Sequence, residues 1–378
     1  MASPFPDRTA LVLGGGGLKG FAHIGVLRAL RERGIVPSLF AGTSIGALIA
    51  AAHLSGMSLD EMARQAEELR KRDLFRLNHL GMLLERVRSP SLYLEAPLRA
   101  LSARATNGRT FDELPAPLLI STVDVERGTR VVWGLPGLRD VPVSHAVYAS
   151  CALPGFFPPG RVGGRLCIDG GTVDNLPAAV AAVGMDAVIA VDVGSAELGR
   201  AADILSQGFA SIYMRAATTM MHALQEAPLA SWSGPPMLLI RPRLGDRHWF
   251  SFSHTSEIIE AGYDAAIAAL DQMGDALHTG GIHPRQMITV AVDRGRCTGC
   301  GLCAALAPQM MAMDDAGKAV AVGSPAEWSP ADGGFVHHCP TDAIHVESDA
   351  GRAPSIGRPD AGFDTHEWRV TQMPNWKG

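Results

Sequence analysis

The chain has 378 residues, 47% of them hydrophobic and 19% charged, with a formal net charge of -5 at pH 7. This composition describes an ordinary globular protein with room for two or three domains, and it excludes a disordered or fibrous chain. The acidic balance leaves no basic field of the kind that phosphate-backbone binding needs, so nucleic acid is not an expected partner, and a strong charge anchor for membranes is equally absent.

In chain order, Asp7 and Arg8 precede a short apolar run that ends in four glycines, a poor signal peptide that reads better as a buried first strand. Strands are expected at ALVLG (10–14), at SLFAG just before residue 43, and at LLISTVDV (118–125), TRVVWG (129–134), AVIAVDVG (187–194) and MLLIRP (237–242). Between them FAHIGVLRALRERG and IGALIAAAHLSG carry apolar residues at helical spacing, and each ends at a glycine. Alternating strands and helices predict an α/β fold with a mainly parallel sheet covered on both faces. The apolar stretch from Phe40 to Leu59 is broken by Gly42, Thr43, Ser44, Gly46, Ser55 and Gly56, so a spanning helix is not expected. Residues 59–72 read as a charged amphipathic helix. Residues 74–87, more apolar than a surface connection, read as one more packed helix or as a lid at a lipid entrance.

HTGGIHPRQ (278–286) has the composition of a linker. The expected division is a domain over 1–280, a small α+β domain over 281–347, and an irregular tail over 348–378. Four of the six cysteines, Cys297, Cys300, Cys303 and Cys339, fall in that second domain with a metal-type spacing. Such usage points to a reducing compartment, hence a cytoplasmic protein, peripheral to a membrane at most.

The glycine loop GGGGLKG (14–20) follows a strand and opens a helix, so its N–H groups are free to face an anion. Gly15, Gly17 and Gly20 also satisfy the dinucleotide fingerprint G-x-G-x-x-G, but the acidic residue that fingerprint requires about twenty residues on is missing from GIVPSLFAGTSIG. A candidate nucleophile stands there instead. Gly42, Ser44 and Gly46 form G-x-S-x-G between a strand and an alanine-rich helix, the setting of a nucleophile elbow. A serine hydroxyl needs a base. Asp169, in CIDGGTVDNLP (167–177), lies before Gly170 and Gly171 in a turn setting with little expected side-chain cover. His145 is the other candidate base, and His23 reads as packing.

GGGLKG, GTSIG and DGG in that order, with ASCALPGFFPP (149–159) and NLPAAVAAVGMDAVIAVDVG (175–194) around the last, resemble the patatin-like phospholipase family over about residues 8–270. The resemblance implies a three-layer α/β hydrolase fold and a Ser-Asp dyad acting on lipid or phospholipid acyl esters, with Ser44 attacking and Asp169 activating it. It also implies an oxyanion hole from Gly15, Gly16 and Gly17, with Lys19, Gly20, Gly42, Gly46, Gly170 and Gly171 as supporting motif positions. Cys151 stands where the family more often has a small residue, and reads as a small buried hydrophobe.

CTGCGLC and HHCP place Cys297, Cys300, Cys303 and Cys339 as four thiolates for one cluster. The region from about Ile288 to Val346 resembles bacterial-type ferredoxins, an α+β fold. Ala307 before Pro308 occupies the position that ligates the second cluster in two-cluster forms, and the matching triplet falls on Phe335, Asp332 and Ser329, none of them cysteine. One cluster is therefore expected, a 4Fe-4S cluster because Cys300 is present. Its role is redox, regulatory or structural, and a redox partner protein is one implication. Two other readings remain open at this point: a redox or scaffolding protein whose hydrolase fold only binds lipid, and an acyltransferase on the same dyad.

Overall fold

The computed structural model describes residues 5–78, 91–194, 208–245, 252–273 and 279–348. These form two compact units, one of Met1–Arg285 with Trp328–Gly333, the other of Gln286–Glu327 with Gly334–Gly378.

The first unit is built on a nine-stranded sheet. Its strands are β1 (Thr9–Leu13), β2 (Leu39–Thr43), β3 (Leu118–Asp124), β4 (Thr129–Trp133), β5 (Gly160–Val162), β6 (Arg165–Asp169), β7 (Ala187–Val191), β8 (Met237–Ile240) and β9 (Ile282–His283). The order is β5-β6-β3-β2-β1-β7-β8-β9, with β4 also paired to β3. The pairings among β3, β2, β1, β7, β8 and β9 are parallel, while β4, β5 and β6 pair antiparallel. The fold is thus the mainly parallel α/β arrangement expected. The segment 278–286, read as a linker, carries β9, which pairs with β8 through Met237 and Ile282.

The helices of this unit are α1 (Ala22–Glu32), α2 (Ile45–Leu54), α3 (Leu59–Glu68), α4 (Lys71–Leu74), α5 (Ala96–Thr106), α6 (Val143–Ser150), α7 (Ala178–Ala181), α8 (Gly208–Ala230) and α9 (Thr255–Met273). Successive strand residues point to opposite faces, and both faces are dry. Leu11, Leu13, Phe40, Ile120, Ile189 and Leu238 pack into the larger core with α1, α2 and α9. Ala10, Val12, Ala41, Leu119, Val188 and Leu239 face the smaller one with α7 and Leu229 of α8. Burial on both faces is why these strands read as continuous apolar runs with no alternation. On the first face α1 and α9 cross at two glycines. A Cβ on Gly25 would strike the Ile259 carbonyl oxygen, and one on Gly262 would strike that of Ala22.

Strand register sets up the site. β4 takes one edge of β3, over Ile120–Asp124, while β2 pairs with Leu118–Ser121. β6 pairs with Thr122–Asp124, and since β4 already occupies the opposite edge there, β6 continues the edge that β2 begins. β2 runs parallel to β3 and β6 antiparallel, so their C-terminal ends meet: Thr43 pairs with Ser121, and Asp169 with Thr122.

In the second unit β10 (Gln286–Val292) pairs antiparallel with β14 (Ile344–Ser348) in a three-stranded sheet with β13 (Ala326–Trp328). A second ribbon joins β11 (Met311–Met313) to β12 (Ala319–Ala321), and two short helices, α10 (Leu302–Leu306) and α11 (Gly334–His337), complete this α+β unit. Of the tail expected over 348–378, all but Ser348 lies outside the described residues.

Candidate active site

Ser44 sits between β2 and α2 with φ 54 and ψ -124, a conformation strained for a residue with a Cβ and typical of a nucleophile held on a sharp strand-to-helix turn. Its neighbours need to be glycine because of close approach. A Cβ on Gly42 would lie 2.6 Å from the Ala47 nitrogen, one on Gly46 would strike the Leu13 carbonyl, and one on Gly20 would strike the Ile45 side chain. The Ser44 N–H donates to the Ser150 hydroxyl at 2.8 Å, and that hydroxyl donates to the Ser121 carbonyl at 2.7 Å.

Asp169 ends β6 and caps a 3-10 turn, Gly170–Thr172. Its Oδ1 accepts the Gly171 N–H at 2.8 Å, and its carboxylate shares the wall of one cavity with Ser44. The expectation of an uncovered carboxylate is corrected here: Asp169 is only 2% exposed, because the antiparallel β5–β6 hairpin carries it into the sheet. Burial raises its pKa from 3.8 to about 6, against the lowering effect of the nearby Ser44 hydroxyl and of the Gly171 N–H. A Cβ on Gly170 would strike the Ser121 carbonyl, and one on Gly171 would come within 2.9 Å of Asn175 Oδ1.

The glycine loop crosses beside the serine. A Cβ on Gly15 would come within 3.2 Å of the Ser44 Cβ, and one on Gly16 would lie 2.8 Å from Val193. The Gly14 and Gly15 N–H groups are engaged by the carbonyls of Val191 and Asn175, at 2.9 and 3.1 Å. A 3-10 turn, Gly17–Phe21, then leads into α1 with Lys19 buried in it. His23 is fully buried in α1, with its Nε2 2.8 Å from the Gly14 carbonyl, and burial pulls its pKa down to about 4. A neutral imidazole donating to the loop is an anchor, not a base. His145 is exposed on α6 and is not among the residues lining the cavity.

Ser44 and Asp169 open into a cavity of about 520 Å³. Its walls are apolar: Leu18 and Phe21, Ile45, Leu48, Ile49 and Ala52 along α2, Met62 and Ala66 of α3, Leu74 and Phe75, Leu98, Leu101 and Ala105 of α5, and Leu153 and Phe157. Glu61, Arg64, Glu68, Asp73 and Arg104 add charged groups to the lining. Cys151 also lines it, half-buried and packed against the apolar core, in keeping with the small hydrophobe expected. Burial first, then the Asp169 charge, pushes its thiol pKa up. Within the 74–87 segment, Leu74 and Phe75 line this cavity, while residues 79–87 lie outside the described residues. Among the described residues no helix is long and apolar enough to cross a membrane.

Residues 11–182 match the patatin-like phospholipase family, and residues 290–346 match the 4Fe-4S single cluster domain. Residues 11–182 of the first unit are thus similar to patatin-like phospholipases. An uncharacterized NTE family protein of Mycobacterium tuberculosis is 38% identical over 197 residues, which is 52% of this chain and 52% of that protein. Human patatin-like phospholipase domain-containing protein 6 is 35% identical over 189 residues, 49% of this chain and 13% of that protein. The chain thus spans about half the length of the mycobacterial relatives it matches and a small part of the human one. Among solved structures, VipD from Legionella pneumophila aligns at 16% identity with a TM-score of 0.39, covering 70% of this chain and 66% of that one.

In the 4Fe-4S single cluster domain, Cys297, Cys300, Cys303 and Cys339 are free thiols that together line one small pocket. Among the described residues no three histidine, cysteine or carboxylate side chains stand together as ligands of a single ion. The donor chemistry fits an iron-sulfur cluster, in which soft thiolates are required. Amide groups support them: the Ala319 N–H donates to Cys297 Sγ at 3.5 Å and the Ala343 N–H to Cys339 Sγ at 3.3 Å. The amides of Ala319 and Gly299 hold the Cys297 thiol below its ordinary pKa. The tight CTGCGLC loop depends on Gly299, at φ 75, where a Cβ would strike the Gly317 carbonyl.

Sequence reasoning did not single out Ser150, Asn175 or Gln225. The first two lie inside quoted motif stretches, ASCALPG and NLP, but their partners are distant in the chain and no local spacing points to them.

Proposed function

We propose that the patatin-like domain is a lipid acyl hydrolase working through Ser44 and Asp169. What supports this reading is that Ser44 and Asp169, far apart in the chain, stand together at the wall of an apolar cavity large enough for an acyl chain. Asp169 takes the Ser44 proton as Oγ bonds to the ester carbonyl carbon. Charge on the carbonyl oxygen is met by N–H groups of the glycine loop, a contribution of about 3 kcal/mol per donor in acyl transfer. As the tetrahedral species collapses, the ester C–O bond breaks and Asp169 returns the proton to the leaving alcohol. Water, deprotonated by Asp169, then attacks the acyl-serine, releasing the fatty acid and restoring both residues.

The four cysteines would hold one 4Fe-4S cluster, which supplies one-electron redox chemistry when bound. Ester hydrolysis moves no electrons, so that cluster stands outside the Ser44 chemistry and serves a redox partner, regulation or the stability of its small unit. A cytoplasmic protein touching membranes peripherally agrees with a lipid substrate and reduced thiols. A p-nitrophenyl ester series of rising chain length, run on wild type and Ser44→Ala, tests the hydrolase. Turnover lost in the variant is expected, and turnover retained would refute the mechanism.

A further inference from the structure

One residue outside the glycine loop holds both polar groups of Gly15. The Gly15 N–H donates to the Asn175 main-chain carbonyl at 3.1 Å, and the Gly15 carbonyl accepts from Asn175 Nδ2, also at 3.1 Å. Asn175 is 5% exposed, and the same Nδ2 donates to Oε1 of Gln225, a buried residue of α8, at 3.3 Å. The Gly15 carbonyl decides the orientation of the carboxamide, since only an NH₂ group can stand against an acceptor. Asn175 Oδ1 and Gln225 Nε2 are then left buried without a hydrogen-bond partner among the described residues. Each such orphan costs about 1–3 kcal/mol, so the arrangement is not one that stability alone favours.

A peptide unit is planar and trans, so the carbonyl of one residue and the N–H of the next point in opposite directions. By fixing the Gly15 carbonyl, Asn175 turns the Gly16 N–H the other way. Gly15 itself lies against Ser44, and Gly17, the next residue after Gly16, lines the cavity. Neither the Gly16 nor the Gly17 N–H has a protein acceptor among the described backbone bonds, whereas that of Gly15 does. We propose that Asn175 is the positioning residue of the oxyanion site. Its bond to the Gly15 carbonyl aims the Gly16 N–H, with that of Gly17, at the carbonyl oxygen under attack. Gly15 contributes no donor, because its N–H is already held by Asn175. This assignment rests on the serine hydrolase reading and refines its oxyanion hole.

The test compares full-length wild type, Asn175→Ala and Asn175→Asp. The aspartate variant keeps the shape but replaces the donor with an acceptor, so it reports even where the alanine variant fails to fold. Two quantities are read: steady-state turnover of a short p-nitrophenyl ester, and the rate at which a fluorophosphonate labels Ser44, a reaction that also builds charge on the oxygen. Both kcat and labelling rate are expected to fall by about tenfold to a hundredfold with KM unchanged, as for a stabilising contact made mainly in the transition state. Wild type that is not labelled at Ser44 would overturn the serine reading and this proposal together. Wild type labelled at Ser44, with Asn175→Asp labelled and turning over equally fast, would overturn the Asn175 role alone. A rise in KM in step with the loss of kcat, with a collapse of the melting temperature, would mark Asn175 as a purely structural residue and also overturn it.

Discussion

The Ser150 hydroxyl accepts the Ser44 backbone N–H at 2.8 Å and donates its own O–H to the Ser121 carbonyl at 2.7 Å, tying the elbow to α6 and β3 at once. A non-glycine residue at φ 54 stores about 1–3 kcal/mol of strain and persists only where its surroundings hold it. Ser150→Ala leaves the Ser44 N–H buried without its acceptor, and should destabilise the patatin-like domain by about 1–3 kcal/mol. Ester turnover should fall with it as the elbow relaxes. Urea unfolding and kcat on a short ester check this, and a variant indistinguishable from wild type in both would remove Ser150 from the brace.

If Asp169 is the base of the proposed dyad, its ionisation should govern the acid limb of activity. The base must be deprotonated, so turnover should fall as pH drops through about 6, the value to which burial raises the carboxyl. Stability should follow the opposite course. The folded state holds this proton more tightly than the unfolded chain, so the contribution is full below the ordinary value of 3.8 and is lost as pH climbs to about 6. At higher pH the buried carboxylate therefore costs stability, on the order of 3 kcal/mol for a shift of this size. Asp169→Asn should be inactive yet melt higher than wild type at pH 8 and at nearly the same temperature at pH 4. Equal melting differences at the two pH values would contradict the assignment.

The α1–α9 crossing depends on backbone contact at Gly25 and Gly262, where any side chain meets a carbonyl oxygen of the other helix. Gly262→Val should force the helices apart and cost about 3 kcal/mol, the upper range for overpacking. Because α1 carries His23, which anchors the Gly14 carbonyl, activity should drop along with the melting temperature. Thermal unfolding is the measurement, and a wild-type melting curve would mean that the crossing yields without cost.

These particulars show where sequence reading reaches and where it stops. Ser44, Asp169 and the order of the glycine loop, elbow and DGG turn were legible because each is a local string with a local conformational cause. The strands buried on both faces were equally visible as apolar runs. The β5–β6 hairpin was missed although Gly163 and Gly164, both at positive φ, are the two-residue turn that such a hairpin favours. Overlooking it made Asp169 look uncovered. Ser150 to Ser44 and Asn175 to Gly15 are contacts between residues 106 and 160 positions apart, and no periodicity in one chain encodes such a pair. The edge strand β9 was hidden by its glycine- and proline-rich surroundings.

The cavity follows α2 from Ile45 beside Ser44 to Ala52, close to the far end of a helix about 15 Å long. An acyl chain bound along it would meet Ala52 only with its distal carbons. Ala52→Phe should therefore leave kcat/KM for short p-nitrophenyl esters nearly unchanged and depress it for long-chain esters, with the cut-off moving to shorter chains. Equal loss across the series would mean that the substitution disturbs the core and does not shorten a binding channel.

The unit that carries the four cysteines is small and buries little apolar surface of its own: in β10 only Val290 is buried, among partly buried and exposed residues, and α11 has none buried. Domains this small commonly lean on a metal for stability. The cysteines come from two separated stretches, CTGCGLC after β10 and Cys339 before β14, so a cluster held by all four would tie the two strands together at the end where Val292 pairs with Ile344. Protein purified without oxygen should be brown and should contain iron and acid-labile sulfide in equal amounts. Cys297→Ala and Cys339→Ala, which remove a ligand from each stretch, should both lose the colour. A colourless, zinc-containing protein would refute the cluster. If the cluster serves only as a staple, stripping it should lower the thermal stability of this unit while ester turnover stays the same in the reduced, oxidised and stripped forms. If it regulates, turnover should differ among those three forms at a temperature where the patatin-like domain remains folded in all of them, and that comparison separates the two roles because the dyad itself needs no electrons.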